Sequence, residues 1–131
     1  MIADRNPNVR ELLRRELTAE GYQVLLARNG QEVLKGVEDH EGLDLLVVDL
    51  DLPYAGDSDI LEALRKQIPA LPVVVHTFLP EYINHPATLN SVALVEKEGN
   101  SIDRIKDVIL EVLGKTRSGS PGTAEKDQSK A

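Results

Sequence analysis

The sequence predicts an α/β protein, a doubly wound parallel sheet of five strands in the order 2-1-3-4-5 with helices on both faces. Short apolar runs alternate with segments of helical spacing along residues 1–114, a pattern typical of parallel sheets. Residues 45–48 form an unbroken apolar run, as expected of a strand buried on both faces. Because crossovers between parallel strands are right-handed, few topologies remain.

Local signals define each element. Asn6 can cap the first helix, Pro7 suits its first position, and Gly21 ends it. The predicted strands cover residues 1–3, 23–27, 43–49, 71–77 and 91–96. The other predicted helices cover residues 31–38, the segment from a cap at Asp57 or Ser58 to the residue before Pro69, and the segment from a Ser101 cap to Gly114.

Two segments lack the signals of a regular element. Residues 78–90 hold Pro80 and Pro86, which predicts a short or broken helix, or a loop. Residues 115–131 contain no large apolar side chain and cannot offset the entropy of ordering, so we expect a disordered polar tail. The predicted domain therefore covers residues 1–114.

Composition excludes several classes of function. The chain has 131 residues, the length of about one domain, and no cysteine for a disulfide, a thiolate metal site or a nucleophile. Its net charge of -7 argues against direct nucleic-acid binding. No apolar run approaches the roughly 18 residues of a membrane span, and no signal peptide is recognisable. We therefore expect a cytoplasmic protein without membrane insertion.

Polar residues stand where four of the predicted strands end. These are Asp4 after the first strand, Asp49 and Asp51 after the third, Thr77 on the fourth and Lys97 after the fifth. Since the carboxyl ends of parallel strands meet at one edge of the sheet, we expect these side chains to lie together. Carboxylates suit a hard cation, whereas a hydroxyl and an ammonium suit phosphoryl oxygens. A carboxylate between them could accept a phosphoryl group as an aspartyl phosphate.

This ordered set resembles the receiver domains of two-component response regulators, over residues 1–114. In that family the phosphorylated aspartate ends the central strand and begins a D-x-x-x-P-x-x-[DG] loop, and an acid pair precedes P-x-[IV]-R. A switch Ser or Thr follows an apolar strand, and a lysine follows the fifth strand. The matching residues are Asp4-Arg5 before Pro7-Asn8-Val9-Arg10, Asp49 with Pro53 and Gly56-Asp57, Thr77, and Lys97.

The resemblance implies a flavodoxin-like fold and a stand-alone, atypical signalling switch. It implies Asp49 as the phosphoacceptor, Thr77 and Lys97 as catalytic and switch residues, and Mg²⁺ held by Asp4 and Asp49. The family uses a backbone carbonyl at the position of Asp51, whose side chain is a further candidate metal ligand here. The implied partners are a sensor histidine kinase or phosphotransfer protein and a downstream protein, and a homodimer is compatible with this scheme. The domain is then not a conventional enzyme, since it catalyses at most its own phosphorylation and dephosphorylation.

Several positions depart from the family pattern. They are Arg5 in place of the second acid, Phe78 in place of a small residue, Leu94 at the aromatic switch position, Glu98 where proline is common, and the inverted Gly56-Asp57. Arg5, Phe78, Leu94 and the predicted break in the fourth helix motivate an alternative function, a pseudo-receiver interaction module that no longer uses Mg²⁺-dependent phosphotransfer. A small phosphatase with an aspartyl intermediate is a weaker alternative, because the chain has no room for a substrate-binding cap.

Arg5 and Asp4 each have two interpretations, one in which the residue serves the pocket chemistry and one in which it has only a structural role. Arg5 either pairs with Asp49 or Asp51 and stands in for Mg²⁺, or it points to solvent while Asp51 replaces the missing acid. Asp4 is either a metal ligand or the salt-bridge partner of Lys97 or Arg5. Residues given a structural interpretation alone are His76, as a packed strand histidine, and Asn8 and Arg10, as surface of the first helix.

Overall fold

The structure is a computed structural model that describes residues 1–39, 42–53, 60–78 and 93–116, except for the side chains of residues 115 and 116. Its strands are β1 Ile2–Ala3, β2 Leu26–Ala27, β3 Leu46–Val48, β4 Val73–Thr77 and β5 Ala93–Glu96. Its helices are α1 Pro7–Ala19, α2 Gly30–Asp39, α3 Ile60–Gln67 and α4 Ser101–Thr116. Strands and helices alternate from β1 to β4 and from β5 to α4, as the sequence predicts, and the residues between β4 and β5 lie outside the described ranges.

The five strands form one parallel sheet in the order β2-β1-β3-β4-β5, which confirms the predicted topology. Asp49 N donates to Ala3 O at 3.0 Å, and Lys97 N donates to Thr77 O at 2.9 Å. Asp49, Thr77 and Lys97 are therefore held by bonds between neighbouring strands at the same edge of the sheet.

Alternate side chains of the central strands supply two separate cores, because successive residues of a strand point to opposite faces. Leu46 and Val48 pack with residues of α2 and α3 on one face. Val47, one residue away, packs with residues of α1 and α4 on the other. Helices thus cover both faces, as the sequence predicts for a sheet with apolar central strands.

The start of α1 is fixed by the predicted cap. The Asn6 side chain accepts hydrogen bonds from the backbone N–H groups of Asn8 and Val9, at 2.8 and 3.4 Å. Pro7 occupies the first turn, where its missing N–H costs nothing. After the helix, Gly21 adopts φ 97°, a left-handed conformation that glycine enters without strain.

Some strands are shorter than the apolar runs that predict them. The structure assigns only Leu26–Ala27 to β2, where the sequence suggests residues 23–27. Edge strand β2 pairs with β1 alone, and β1 itself contributes only Ile2 and Ala3. The two residues of β1 that are available for pairing therefore limit the length of β2, even though residues 23–25 also favour a strand.

The last helix also differs at both ends. Ser101 is its first helical residue, and the Ser101 hydroxyl bonds to His76 of β4. The helix continues past Gly114 to Thr116, because one exposed glycine costs only about 1 kcal/mol inside a helix. In the described part of the chain, none of the helices is long and apolar enough to span a membrane.

Three predictions concern residues outside the described ranges. They are the cap at Asp57 or Ser58, the broken helix or loop after Phe78, and the polar tail beyond residue 116.

Candidate functional site

Lys97 bridges the two carboxylates at the carboxyl edge of the sheet. Its Nζ lies 2.5 Å from Asp49 Oδ2 and 2.8 Å from Asp4 Oδ2. Both acids are almost fully buried, at 4% and 2% exposure, and Lys97 is largely enclosed as well. Buried charges need such pairing, because removing an ion from water without a partner is costly.

The second oxygen of each carboxylate is also occupied. Asp49 Oδ1 accepts from the Thr77 hydroxyl at 3.2 Å and from the backbone N–H of Asp51 at 2.9 Å. Asp4 Oδ1 accepts from the backbone N–H of Asn6 at 2.9 Å. These bonds hold both carboxylate planes in fixed orientations and leave Asp49 facing Lys97 on one side and Thr77 on the other.

The pocket also sets the charge state of Lys97. Burial by itself lowers the pKa of the Lys97 ammonium, but hydrogen bonds and charge attraction from Asp4 and Asp49 outweigh it, so the pKa is raised. Lys97 is therefore a permanent cation between two acids at neutral pH, as a ligand for phosphoryl oxygens must be.

Arg5 does not form the ion pair that one of its two sequence interpretations required. Its side chain is exposed, and no ion pair among the described residues joins it to Asp49 or Asp51. Adjacent residues at a strand end point in opposite directions, so Asp4 enters the pocket while its neighbour turns to solvent. The cation between the carboxylates is Lys97 instead.

Two residues have contacts that their sequence interpretations missed. The Arg10 guanidinium, expected on the helix surface, donates to the backbone oxygen of Asp4 at 2.8 Å. The exposed Phe78 ring has its centroid 5.6 Å from Lys97 Nζ, within the range of a cation–π contact. The sequence signal for Arg10 is its place one turn after the Asn6 cap, beside the end of β1.

His76 lies beneath the pocket as a packed strand histidine, as predicted. It is buried on the opposite side of β4 from Thr77, and its Nε2 lies 3.1 Å from the hydroxyl of Ser101 in α4. Burial, together with the positive charge of Lys97, lowers the pKa of His76 to about 4, against the weaker pull of Asp4 and Asp49. The imidazole is therefore neutral at physiological pH.

Comparison with known proteins identifies the family that shares this fold. Residues 1–108 match the family described as the response regulator receiver domain. The chain belongs to this family.

Relatives of this receiver domain include the transcriptional regulatory protein KdpE of Mycobacterium tuberculosis, 36% identical over 75 residues, which are 57% of this chain and 32% of KdpE. The chain spans about a third of the length of the curated relatives it matches first. It also resembles the response regulator TrrA of Thermotoga maritima bound to Mg²⁺-BeF, with 29% identity and a TM-score of 0.72 over 85% of this chain and 95% of TrrA.

TrrA has also been solved in complex with the histidine kinase ThkA. In that structure the match to this receiver domain is 30% identical, with a TM-score of 0.71, and covers 86% of this chain and 95% of the matched chain. These likenesses agree with the sheet order and with the family assignment.

The ligand chemistry of the receiver pocket fits Mg²⁺ through two carboxylates. Asp4 and Asp49 converge on one atom of Lys97, and Mg²⁺ commonly takes one or two carboxylates together with waters and phosphate oxygens. Asp51 contributes its backbone N–H to Asp49. Among the described residues, no group of three or more acid, histidine or cysteine side chains could hold a metal ion. The predicted metal role of Asp51 therefore stays a prediction.

Proposed function

We propose that this receiver domain accepts a phosphoryl group on Asp49 from a phosphohistidine of a partner kinase or phosphotransfer protein. One observation carries the proposal. The Asp49 carboxylate accepts a hydrogen bond from the Lys97 ammonium on one oxygen and from the Thr77 hydroxyl on the other. An acceptor carboxylate flanked by these two donors is what phosphoryl transfer requires, because charge develops on the phosphoryl oxygens.

In the proposed step, an oxygen of Asp49 attacks phosphorus in line with the phosphohistidine nitrogen. The new O–P bond forms as the P–N bond breaks, and the bonding electron pair returns to the imidazole, which then takes a proton. The Lys97 ammonium turns from the carboxylates towards a phosphoryl oxygen, and Thr77 donates to another. The backbone N–H of Lys97 donates a hydrogen bond to the backbone oxygen of Thr77. A shift of these two residues would then transmit the phosphorylation of Asp49 to the ends of β4 and β5.

Mg²⁺ is the proposed cofactor, with Asp4 and Asp49 as its protein ligands. When bound, it would neutralise the charge of the phosphoryl oxygens. One relative supports this assignment, since TrrA has been solved bound to Mg²⁺-BeF. The same protein has been solved in complex with the histidine kinase ThkA. The proposed partner of this chain is accordingly a histidine kinase or a phosphotransfer protein.

The proposed output is protein contact by the folded domain. The residues that would change on phosphorylation, Thr77 and Lys97, lie at the ends of β4 and β5, so the surface formed by these strands and α4 would carry the signal. The downstream partner, a homodimer, self-catalysed phosphorylation and dephosphorylation, and a cytoplasmic location remain predictions within this proposal.

The test is incubation with acetyl phosphate, and separately with beryllofluoride, with and without Mg²⁺. We expect Asp49 to gain one phosphoryl group, detected by mass spectrometry of the intact protein and of its peptides. Asp49→Asn should abolish the gain. Asp44→Asn, an acid at the opposite end of β3, is the matched control and should retain it.

The pseudo-receiver is the second candidate, favoured by one observation. Lys97 already bonds to both buried carboxylates, so each of them has a cationic partner without a metal or phosphoryl group. If acetyl phosphate and beryllofluoride leave Asp49 unchanged under all conditions, the switch is excluded and a constitutive interaction module remains. Tight Mg²⁺ binding that depends on Asp49 would exclude the pseudo-receiver.

A further inference from the structure

Phe78 has an unusual position for a large aromatic side chain. It follows Thr77 directly, is 55% exposed, and stands beside the ammonium of Lys97 rather than in either core. Keeping such a ring in water forgoes the stabilisation that burial would give. The contact with Lys97 is the compensating interaction that the described residues offer.

The ammonium of Lys97 has three N–H donors, and three of the described residues contact it. Asp4 and Asp49 each accept from it. The centroid of the Phe78 ring lies 5.6 Å from Nζ, as a further neighbour of the ammonium. A phosphoryl oxygen that bonds to Lys97 would thus approach an ammonium that already contacts two carboxylates and an aromatic ring.

We propose that Phe78 is a positioning residue that caps the Lys97 ammonium, holds it on the two carboxylates, and thereby slows the reaction of Asp49 with small acyl phosphates. This inference rests on the proposed function. In the reaction concerned, an Asp49 oxygen attacks phosphorus of acetyl phosphate, and the P–O bond to the acetyl group breaks. The electron pair leaves with acetate.

The exposure of the ring suggests why such a cap discriminates between donors. A small acyl phosphate has no surface against which the displaced ring can pack. A protein donor covers the pocket on docking and can bury the ring, which offsets the loss of its contact with Lys97. The cap would thus protect Asp49 from metabolite-sized donors while leaving it open to a protein.

The experiment compares the rates at which acetyl phosphate labels Asp49 in the wild type and in Phe78→Ala, Phe78→Leu and Phe78→Tyr. Ala and Leu both remove the π face, whereas Tyr keeps it. We expect Ala and Leu to raise the rate about two- to fivefold, the factor that corresponds to one exposed cation–π contact, and Tyr to match the wild type. Leu110→Ala is the control, since Leu110 is 66% exposed on α4, and its rate should be unchanged.

A second readout does not depend on phosphorylation. An aromatic ring near Lys97 shifts the NMR signals of its Cε protons, and this shift should vanish in Ala and Leu and persist in Tyr. Equal labelling rates in the wild type, Ala and Leu would overturn the inference. A Leu variant that behaves as the wild type while Ala is faster would also overturn it, because simple bulk would then explain the effect.

The two failures are distinguishable. If no protein is labelled at Asp49, wild type included, the proposed function is overturned and the inference about donors falls with it. If the wild type is labelled but the variants show no change in rate, the proposed function stands and the role of Phe78 is excluded.

Discussion

The charges of Asp4, Asp49 and Lys97 are buried together at the carboxyl edge of the sheet. Taking three charges out of water is unfavourable, and their mutual bonds, the Thr77 hydroxyl and the backbone N–H groups on the carboxylates compensate for it. The cost of burying the charges and the gain from their bonds nearly cancel, so the cluster adds little to the free energy of unfolding. A small net energy suits a switch, because a new anion on Asp49 would then be enough to redistribute the bonds of Lys97.

His76 provides a prediction about pH at the same scale. Its pKa falls to about 4 in the folded protein, from about 6.5 in an unfolded chain, because burial and Lys97 disfavour the charged imidazole. Between these values the unfolded chain binds a proton that the folded protein does not. The free energy of unfolding should therefore fall as the pH drops from about 6.5 to about 4, by on the order of 3 kcal/mol from this residue.

Two measurements isolate this contribution from other groups. NMR titration of the His76 ring protons should show no transition above about pH 5. Urea unfolding across the same pH range should show a shallower dependence for His76→Gln than for the wild type. A His76 transition near pH 6.5 would contradict the buried, neutral imidazole.

At the scale of single elements, α1 shows how a local signal positions a site. The side chain of Asn6 caps the helix while its backbone N–H binds Asp4, so one residue fixes both the helix start and a pocket carboxylate. Arg10, one turn later, binds the Asp4 carbonyl and ties the helix to the end of β1. The sequence predicts the cap, but the second attachment depends on the angle at which α1 leaves the strand.

Asn6→Ala tests the cap. Loss of the side-chain acceptor should lower the free energy of unfolding by about 1 kcal/mol, measured by urea denaturation, because N–H groups of the first turn lose their partner. The matched control is Asn8→Ala, an exposed position of the same turn, which should change stability by less than about 0.5 kcal/mol. Equal effects of the two substitutions would contradict the assigned cap.

Helix α4 shows the opposite case, in which tertiary contacts change a local role. Ser101 has the composition of a cap, yet its hydroxyl bonds to buried His76 on β4. At the other end of the contact, His76 neighbours Thr77, so the first turn of α4 is attached next to the proposed switch hydroxyl. Lys106 further joins α4 to Glu16 of α1 at 2.7 Å.

At the scale of the whole molecule, stability comes from two aliphatic cores on either side of one sheet. The central strands β1, β3 and β4 contribute to both, whereas β2 is an edge strand with one neighbour. Burial is therefore unequal between strands of similar composition. Leu46 in β3 is fully buried, and Leu26 in β2 is 40% exposed.

These two leucines make a matched pair for mutation. Leu46→Ala should lower the free energy of unfolding by about 3 kcal/mol, since it leaves a cavity between β3 and the helices of one face. Leu26→Ala should cost less than about 1 kcal/mol, because the edge position can collapse or fill with water. Urea denaturation measures both, and a larger loss at Leu26 would contradict the assigned sheet order.

What the sequence determined is the architecture and the membership of the pocket. Apolar periodicity is a local property, so it specifies which segments are strands and helices, and the parallel sheet then brings the ends that carry Asp4, Asp49, Thr77 and Lys97 to one edge. It also predicted the short β1 and the cap at Asn6. These features depend on residues near one another in the chain.

Only the tertiary structure decided how the groups of the pocket bond to one another and which further side chains contact them. Asp49 and Lys97 are 48 residues apart, and their distance depends on how β3, β4 and β5 pack. The same packing turned Arg5 to solvent, brought the Phe78 ring to Lys97, and joined His76 to Ser101. Side-chain direction at a strand end depends on the local twist and on the neighbouring element, and periodicity carries no information about either.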